Sequence, residues 1–387
     1  MAVFGVIPNF PVQERWEWKT DVLQTIQGNE SRISIRNKPR IDFAASFPAL
    51  TAEQRRTLYR SISDNIQSTF ETPLWPYAGP ITQTTTSGNA RVCFENSRVP
   101  VDGTGVLILV NPRTGVAYQH DVLTVQTDGA TLATNVAVDI TSEWVAIMGV
   151  QATIADNGGF TRGAEASDLT LRFRTYVDPG VQRPGSAASL TTLNSINVLE
   201  RNFQQGAQER FSYPRETLDF ESGTRIDYSQ WDRPVVSGPR TFISQRLLDP
   251  TDLDYWRLFL DTVKGSWKPF LLSTQSKDMT LQSGLTQNAS SFNINENIKS
   301  LLLDYETWQY LEILYTDGTK SYHQITSSSG SGPTTLNISP NTPNDPKVSG
   351  VSRISHLLKC RMADTLQLNH GMTTTEIAFD ITSTDDG

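Results

Sequence analysis

The side chains that most often catalyse reactions or bind metals are few in this sequence and widely spaced. The four histidines show no metal-binding spacing such as His-x-x-x-His; they are His120, His323, His356 and His370. The sequence also lacks a Gly-x-Ser-x-Gly elbow, a phosphate-binding glycine loop and a Cys–His pairing. We therefore predict no catalytic, metal or cofactor-binding residues. Paired carboxylates for glycoside hydrolysis stay open as an alternative, because Asp and Glu are plentiful.

Tryptophan is the second residue type with possible chemistry, because its ring can stack on a sugar. The chain has eight tryptophans, and several of them stand in segments that recur along the sequence. Aromatic residues at corresponding places in two copies are more simply explained as core residues. We predict structural or interface roles for Trp18, Trp75, Trp256 and Trp267, and carbohydrate binding is the alternative.

Two arginines are the sharpest recurring polar feature. Arg40 and Arg240 each follow a proline directly, in the dipeptides Pro39-Arg40 and Pro239-Arg240. A guanidinium can form a fixed fork of hydrogen bonds to a carboxylate or to carbonyl groups. We predict that both arginines are structural clamps within their own domains, and a contact between subunits is the competing role.

Cysteine content and charge exclude several protein classes. Cys93 and Cys360 form neither a metal spacing nor a disulfide framework, so we predict two buried thiols and synthesis in a reducing compartment. The net charge of −8 argues against a nucleic-acid-binding surface, which needs clustered Lys and Arg. We expect no signal peptide, because Met1 to Pro8 lacks a basic n-region and a cleavable apolar run. We expect no membrane span, because no apolar run approaches about 20 residues.

One stretch of sequence occurs twice. Pro39-Arg40 precedes a helix that opens at Thr51, and Pro239-Arg240 precedes a helix that opens at Thr251. Later segments recur in the same order, among them Val106-Leu-Ile-Leu109 with Leu311-Glu-Ile-Leu314, and Ala155-Asp156 with Ala363-Asp364. An ordered series of weak matches is the signature of a tandem duplication.

The two helices are predicted from caps and periodicity. Thr51-Ala-Glu-Gln54 is a capping box, and Leu58, Tyr59 and Ile62 follow at helical spacing, which predicts one buried face. The helix that begins at Thr251 has a wider apolar face. This helix is therefore either more deeply buried or in contact with a partner on one side.

The remaining chain is typical of short strands and turns. Ser31 to Arg36 alternates, which predicts a half-buried strand with Ile33 and Ile35 inward, and Val106 to Tyr118 predicts a hairpin. We predict a mainly β (α+β) chain with two tandem copies of a β-sandwich or barrel-like domain, each with one main amphipathic helix. The predicted divisions are an extended arm at 1–15, a first domain at 16–178, a linker at 179–204 and a second domain at 205–387.

These motifs resemble a family of viral proteins. Trp18-Lys-Thr-Asp-Val-Leu23, the later Arg32 and the Pro-Arg pair before a capped helix resemble tail proteins of tailed bacteriophages, as do the strands ending in Ala-Asp. The resemblance implies a distal-tail or baseplate-hub protein that forms a ring at the end of the tail tube. It also implies a β-rich, non-enzymatic protein of the virion, assembled in the bacterial cytoplasm.

The resemblance also implies partners. These are other copies of the chain in a homotrimer or homohexamer, the tail tube protein, other baseplate or tail-tip proteins, and DNA only as passing cargo. A trimer of a chain with two copies of one domain would form a pseudo-six-fold ring. An acidic lumen would let DNA pass by repelling phosphate. A receptor- or glycan-binding tail protein and a tail-associated hydrolase are the alternative functions.

Overall fold

The protein is mainly β, as predicted, with 54% of residues in strands and 11% helical. The computed structural model describes residues 7–24, 30–65, 68–95, 99, 105–126, 128–155, 159–162, 167–175, 189–212, 216–219, 223, 225–228, 235–245, 250–297, 306–330 and 333–384. The two α-helices within these ranges are α1 (Ala52–Asn65) and α2 (Pro250–Val263). The predicted division into two separate tandem domains is not confirmed, because strands and core are shared between the halves.

The first half contains thirteen strands among the described residues. In chain order they are β1 (Asn9–Glu17), β2 (Thr20–Gln24), β3 (Glu30–Ser34), β4 (Arg40–Leu50), β5 (Phe70–Pro73), β6 (Gly79–Gln83), β7 (Arg91–Phe94), β8 (Val106–Val110), β9 (Ala117–Gln126), β10 (Gly129–Leu132), β11 (Val145–Ile154), β12 (Gly159–Arg162) and β13 (Ser167–Thr175).

The second half contains fourteen further strands in the described ranges. They are β14 (Thr192–Leu193), β15 (Ile196–Leu199), β16 (Arg210–Ser212), β17 (Glu216–Asp219), β18 (Arg225–Tyr228), β19 (Val235–Ser244), β20 (Phe270–Ser273), β21 (Ser291–Ile294), β22 (Tyr310–Tyr315), β23 (Lys320–Ser329), β24 (Thr334–Ser339), β25 (Val351–Met362), β26 (Thr365–His370) and β27 (Thr375–Ser383).

The two halves pair their strands in the same order. In the first half β11 pairs with β5, β8 and β13, and β13 also pairs with β4 and β12. In the second half β25 pairs with β20, β22 and β27, and β27 also pairs with β19 and β26. A meander continues each sheet, through β8, β9, β10 and β7 in one half and through β22, β23, β24 and β21 in the other. The strands of these ladders in one half therefore have counterparts in the other, whereas β6, β14 and β15 have none among the described residues.

The ladders also identify counterpart residues. Ala152 faces both Phe70 and Thr175, and Cys360 faces both Phe270 and Ser383, so Ala152 and Cys360 are counterparts. Two residues further along β11 and β25, Ile154 and Met362 face Phe173 and Ile381. Phe173 in turn faces Phe43 of β4, and Ile381 faces Gly238 of β19. Phe43 and Gly238 therefore occupy the same place in their sheets.

This register corrects the sequence alignment of the two arginines. Arg240 faces Phe379, two residues before Ile381, and the matching place on β4 is Ala45, which faces Leu171. The Pro-Arg dipeptides are therefore not counterparts, although both lie in the strand that precedes a helix. The two dipeptides lie at a similar distance in sequence from the helix that follows. However, the residues of β4 that pair with β13 lie at a different distance from that helix than the residues of β19 that pair with β27.

Strand β1 joins the two halves. One edge of β1 pairs antiparallel with β4 of its own half, and the other edge pairs antiparallel with β26 of the second half. The largest hydrophobic cluster accordingly takes residues from both halves, including Trp16, Leu109, Trp256 and Phe379. Of the predicted arm at 1–15, residues 1–6 lie outside the described residues, and residues from Asn9 onward belong to this central strand.

The described end of the predicted linker is part of the second half. Strand β15 adds parallel to β20, and its partner β14 completes a short hairpin. Two hydrogen bonds fix the residue after β15: the Glu200 amide donates to the Tyr255 hydroxyl (3.0 Å), and Lys320 Nζ donates to the Glu200 carbonyl (3.1 Å). Residues 189–204 therefore pack on the second half, while residues 179–188 lie outside the described residues.

The helices begin as predicted but differ in burial. The Thr51 hydroxyl accepts from the Gln54 amide (3.2 Å), and the Gln54 side chain accepts from the Thr51 amide (3.0 Å), which is the predicted capping box. Tyr59, predicted on the buried face of α1, is instead 62% exposed. In contrast, α2 is buried on nearly all sides, and Gly265 follows it with a φ of +66°. This burial explains the wide apolar face of α2, because residues of the first half pack against one side of the helix.

The hairpin of β2 and β3 reverses its predicted orientation. Ile33 and Ile35 are 55% and 54% exposed, and the alternate residues Arg32, Ser34 and Arg36 are half-buried. Period-two alternation predicted the strand correctly, but it could not tell which face would meet protein. Arg32 donates to the Ser266 carbonyl of the second half (3.2 Å), so the polar face is the inner one.

Candidate assembly site at the junction of the halves

The centre of the junction is the buried carboxylate of Glu14. It lies on the inward face of β1 between Val12 and Trp16, because residues two apart in a strand point to the same side. One carboxylate oxygen accepts from the Trp16 indole (2.6 Å), and the other lies 2.7 Å from the Tyr77 hydroxyl and 2.6 Å from His370 Nε2. Glu14 and His370 are both fully buried. This polar cluster therefore ties β1 to β26 from inside the core.

Arg257 of α2 supplies a positive charge to the same cluster. Its guanidinium lies 4.1 Å from the centre of the Tyr77 ring. Burial lowers the pKa of Arg257 to about 10, and the Glu14 carboxylate opposes that shift. Burial raises the pKa of Glu14, but the hydrogen bond and electrostatic interaction with His370 and the charge of Arg257 outweigh burial, so its pKa lies below the ordinary value. Both groups are charged at neutral pH, and the second half thus places a cation beside the anion of the first.

Asp364 forms the second polar contact of the junction. Its carboxylate accepts from the Ser266 amide (2.9 Å) and hydroxyl (2.7 Å) and from the Thr20 amide (3.0 Å). Its backbone carbonyl accepts from the Trp18 amide (2.8 Å). The residues that follow β1 therefore also bind the second half, beyond the ladder between β1 and β26.

The close contact at Gly265 gives a first prediction. A Cβ at Gly265 would lie 2.7 Å from Asp364 Oδ1 and 2.9 Å from Trp18 Cβ, and φ is +66°. Gly265→Ala is therefore expected to destabilise the protein by about 2–3 kcal/mol, through strain and the displaced carboxylate. Chemical denaturation measures this effect.

Gly88→Ala is the matched control for Gly265→Ala. Gly88 also has a positive φ, of +88°, but a Cβ there meets no atom within 4 Å. Gly88→Ala should therefore lower the free energy of unfolding only by the conformational cost of alanine at a positive φ, about 1 kcal/mol. Equal losses in the two variants would show that the contact with Trp18 and Asp364 contributes nothing to stability.

The predicted site residues fall in different environments. Trp18, Trp75 and Trp256 are buried, and Trp18 lies at the junction itself. Trp267 is half-buried, with Lys264 and Lys268 Nζ 5.5 and 4.7 Å from its ring centre. None of these four rings belongs to the exposed large apolar residues found in the described part of the chain.

The two predicted arginine clamps differ from each other. Arg240 is 1% exposed and donates to the carbonyls of Gln208 (3.3 Å) and Pro239 (3.1 Å) and to the Glu209 carboxylate (2.6 Å). Its guanidinium also lies 4.9 Å from the centre of the Phe203 ring. These contacts are those of a clamp within the second half. Arg40 is exposed on β4, opposite Glu17 of β1.

All four histidines are buried and bonded to neighbouring groups. His323 is typical: Nδ1 lies 2.7 Å from the Pro340 carbonyl and Nε2 lies 2.7 Å from the Ser321 hydroxyl. Nδ1 must donate to the carbonyl, so Nε2 is free to accept from the hydroxyl in the neutral ring. Burial lowers the pKa of His323, and it also lowers the pKa of His120 and of His356.

A pH dependence follows from these lowered pKa values. Below the ordinary histidine pKa of about 6.5 the unfolded chain binds more protons than the folded chain, so stability falls as pH falls. We expect the urea midpoint to be lower at pH 5.5 than at pH 7.5. His323→Asn keeps a donor for the Pro340 carbonyl and is expected to reduce this difference. An unchanged difference would show that His323 is not part of the acid response.

The junction also carries a shallow surface groove of about 380 Å³. Arg15 and Arg172 line it from the first half, and Leu366, Phe379 and Asp380 line it from the second. A glycosidase cleft requires two facing carboxylates. Asp380 is the one acid among the lining residues, so this groove does not offer the paired carboxylates of the hydrolase alternative.

No family model matches this sequence, and no curated protein matches it. Within the described ranges, no group of three or more His, Cys, Asp or Glu side chains is placed to hold a metal ion. No helix in that part of the chain has the length and apolar character needed to cross a membrane. Cys93 and Cys360 are buried free thiols, as predicted.

Sequence reasoning missed the central residues of the junction. Glu14 could have been found, because it is a carboxylate on the apolar face of an alternating strand, with Val12 and Trp16 on either side. His370, Tyr77 and Arg257 carry no such local signal, since each joins the cluster from a different element. Their common role depends on pairing β1 with a strand near the other end of the sequence.

Proposed function

We propose that this protein is a non-enzymatic structural component of a phage tail tip, which forms a ring of copies at the distal end of the tail. Its halves are tandem copies of one domain fused through β1. The recurring order of strand pairings supports the duplication, and the sequence resemblance to distal-tail and hub proteins supports the location. The ring joins the tail tube to the other components of the tip, and its assembly takes place in the bacterial cytoplasm.

The observation that carries the ring is the head-to-tail contact of the two halves. The first half contributes β1 and Tyr77 to the junction, and the second half contributes β26 and α2. The two sides of this contact are different surfaces. Repetition of such a heterologous contact gives either a closed ring or an open filament. A trimer of the chain would present six copies of the domain, and a homohexamer is the competing ring.

The polar residues at the junction support a structural function rather than catalysis. Glu14 and His370 have no exposed surface, and their hydrogen bonds are made within the core. A catalytic acid or base must reach a substrate. These groups instead fix the relative position of the halves, which is what a ring subunit requires.

The test is the mass of the purified protein across a concentration series by light scattering, followed by electron microscopy. We expect rings of three or six times the chain mass of 43.0 kDa. Rings that stack end-on onto purified tail tubes would support the location as well. A monomer at all concentrations that also fails to assemble on tail tubes would overturn the proposal. If that monomer bound host polysaccharide, the receptor-binding alternative would replace it.

A further inference from the structure

The junction between the halves has two faces, and each face has a counterpart elsewhere on the chain. We name the surface formed by β1 and Tyr77 the front face, and the surface formed by β26 and α2 the back face. The counterpart of the front face is in the second half, at β16 and Lys277. The counterpart of the back face is in the first half, at β12 and α1.

Strand β16 is the counterpart of β1 by register. Trp16 faces Ile41 of β4, and Phe211 faces Val236 of β19; Ile41 and Val236 each lie two residues before the counterparts Phe43 and Gly238. Trp16 is 4% exposed and belongs to the same hydrophobic cluster as Leu366 of β26 and Trp256 of α2, whereas Phe211 is 62% exposed. Among the described pairings β16 pairs with β19 alone, so Phe211 stands on a strand with one unpaired edge, which is a site for pairing with another chain.

Strand β12 is the counterpart of β26. Each forms a hairpin with the strand that follows it, and Phe160 faces Leu169 as Leu368 faces Ile377. The second edge of β26 is occupied by β1. Among the described pairings, β12 pairs with β13 alone. Within the described residues, the edge that receives β1 in the second half therefore has no partner strand in the first.

Counted from the first residue of each helix and from the end of each following strand, the helix contact has counterparts with exchanged chemistry. Arg257 is the eighth residue of α2 and lies over the Tyr77 ring; the eighth residue of α1 is Tyr59. Tyr77 lies four residues after β5, and Lys277 lies four residues after β20. Tyr59 and Lys277 are both exposed. The cation and the ring have changed places, so the second pair can form the same cation–π contact.

We propose that the front face of the second half binds the back face of the first half in another copy of this chain. Strand β16 then adds antiparallel to β12, and Tyr59 packs against Lys277. The register follows from the junction, where Gln13 faces Asn369. Gln13 lies three residues before Trp16, as Gln208 lies three before Phe211, and Asn369 follows Leu368 as Thr161 follows Phe160, so Gln208 and Thr161 are expected to face each other across the chains. This inference rests on the proposed ring and specifies the contact that closes it.

The experiment is a disulfide between chains at the proposed register. Facing residues of antiparallel strands have Cβ atoms about 4.5–5.5 Å apart, within reach of a disulfide after small shifts. Gln208 and Thr161 are exposed, and the native cysteines are buried, so background cross-linking is low. The double variant Gln208→Cys/Thr161→Cys is expected to give a covalent ladder of chains on oxidation, ending at the size of the ring. Each single variant should give none.

Two pairs calibrate the result. Gln13→Cys/Asn369→Cys is the positive control, because this pair faces directly within one chain and should form a disulfide without any change in mass. Gln208→Cys/Leu123→Cys is the negative control, because Leu123 is 60% exposed but belongs to β9, away from both faces. A protein that forms rings but gives no ladder, while the positive control reacts, would overturn the proposed contact and leave the ring intact.

A second variant tests the contact without cysteine chemistry. Phe211→Glu changes an exposed side chain, so the thermal stability of the isolated chain should stay unchanged. Assembly should weaken by about tenfold or more, as expected for an aromatic residue at the centre of an interface. The matched variant Leu123→Glu should assemble normally. Unchanged assembly of Phe211→Glu would contradict the contact, whereas a chain that never assembles, wild type included, would contradict the ring itself.

Discussion

Replacing Glu14 with alanine is expected to lower the free energy of unfolding by about 3–5 kcal/mol, the range for breaking a buried charge network. The truncation removes the acceptor of the Trp16 indole and the Tyr77 hydroxyl, and the partner of His370. It also leaves Arg257 buried without the facing carboxylate. Urea denaturation followed by far-UV circular dichroism would measure the loss.

The control for Glu14→Ala is Glu17→Ala in the same strand. The Glu17 side chain is 41% exposed and pairs with Arg36 at 3.2 Å, so its removal should cost well under about 1 kcal/mol. If the two variants lost equal stability, the cluster at the junction would contribute no more than a surface ion pair. The halves would then be held by β-pairing and apolar packing alone.

Replacing Trp256 with alanine is the second large effect, with an expected loss of about 3–5 kcal/mol. Trp256 has no exposed surface, and the centres of the Phe242 and Phe259 rings lie 4.8 and 6.1 Å from its own. The side chain anchors α2 to the shared core, so its removal leaves a cavity at the centre of the second half. Thermal and urea denaturation would both report the loss.

Trp267→Ala is the matched substitution for Trp256→Ala. Trp267 is half-buried beside Lys264 and Lys268 at the end of α2, so the same change of residue type should cost about 1 kcal/mol. A larger loss at Trp267 than at Trp256 would contradict the described core. Comparing the two also separates the effect of burial from the loss of a fluorophore.

Local structure was predictable where one short segment decides it. The capping box of Thr51 and Gln54 forms because both partners lie within one helical turn. The turn that begins at Asn111 forms because its side chain accepts from the amides of Arg113 and Thr114. The mainly β fold follows for the same reason, since strand and turn signals are local.

Orientation and register were not predictable, because distant elements decide them. The alternation of Ile33 and Ile35 predicted a strand, but its exposed face is set by Arg32, which contacts the second half. The Pro-Arg dipeptides matched in sequence, yet the strand ladders show that the counterpart of Arg240 in the first half is Ala45 rather than Arg40. A short motif can therefore mislead by several residues when the paired segment has shifted.

The polar cluster was the least accessible part of the site. Glu14, Tyr77, Arg257 and His370 come from four elements, and no two of them form a motif. Only the closed junction brings them together. The buried Glu14 was the one available signal, because a carboxylate on an apolar strand face requires a partner.

The position of β1 between β4 and β26 has a consequence for how the chain reaches its native state. Glu14 and His370 are separated by 356 positions, so the second edge of β1 stays unpaired until β26 has been synthesised. Contacts between such distant segments form slowly, and a strand edge that stays unpaired during this time promotes aggregation. We therefore expect closure of the junction to come late in folding. Trp16 and Trp18, both buried at that junction, make tryptophan fluorescence a natural reporter of this late step in refolding experiments.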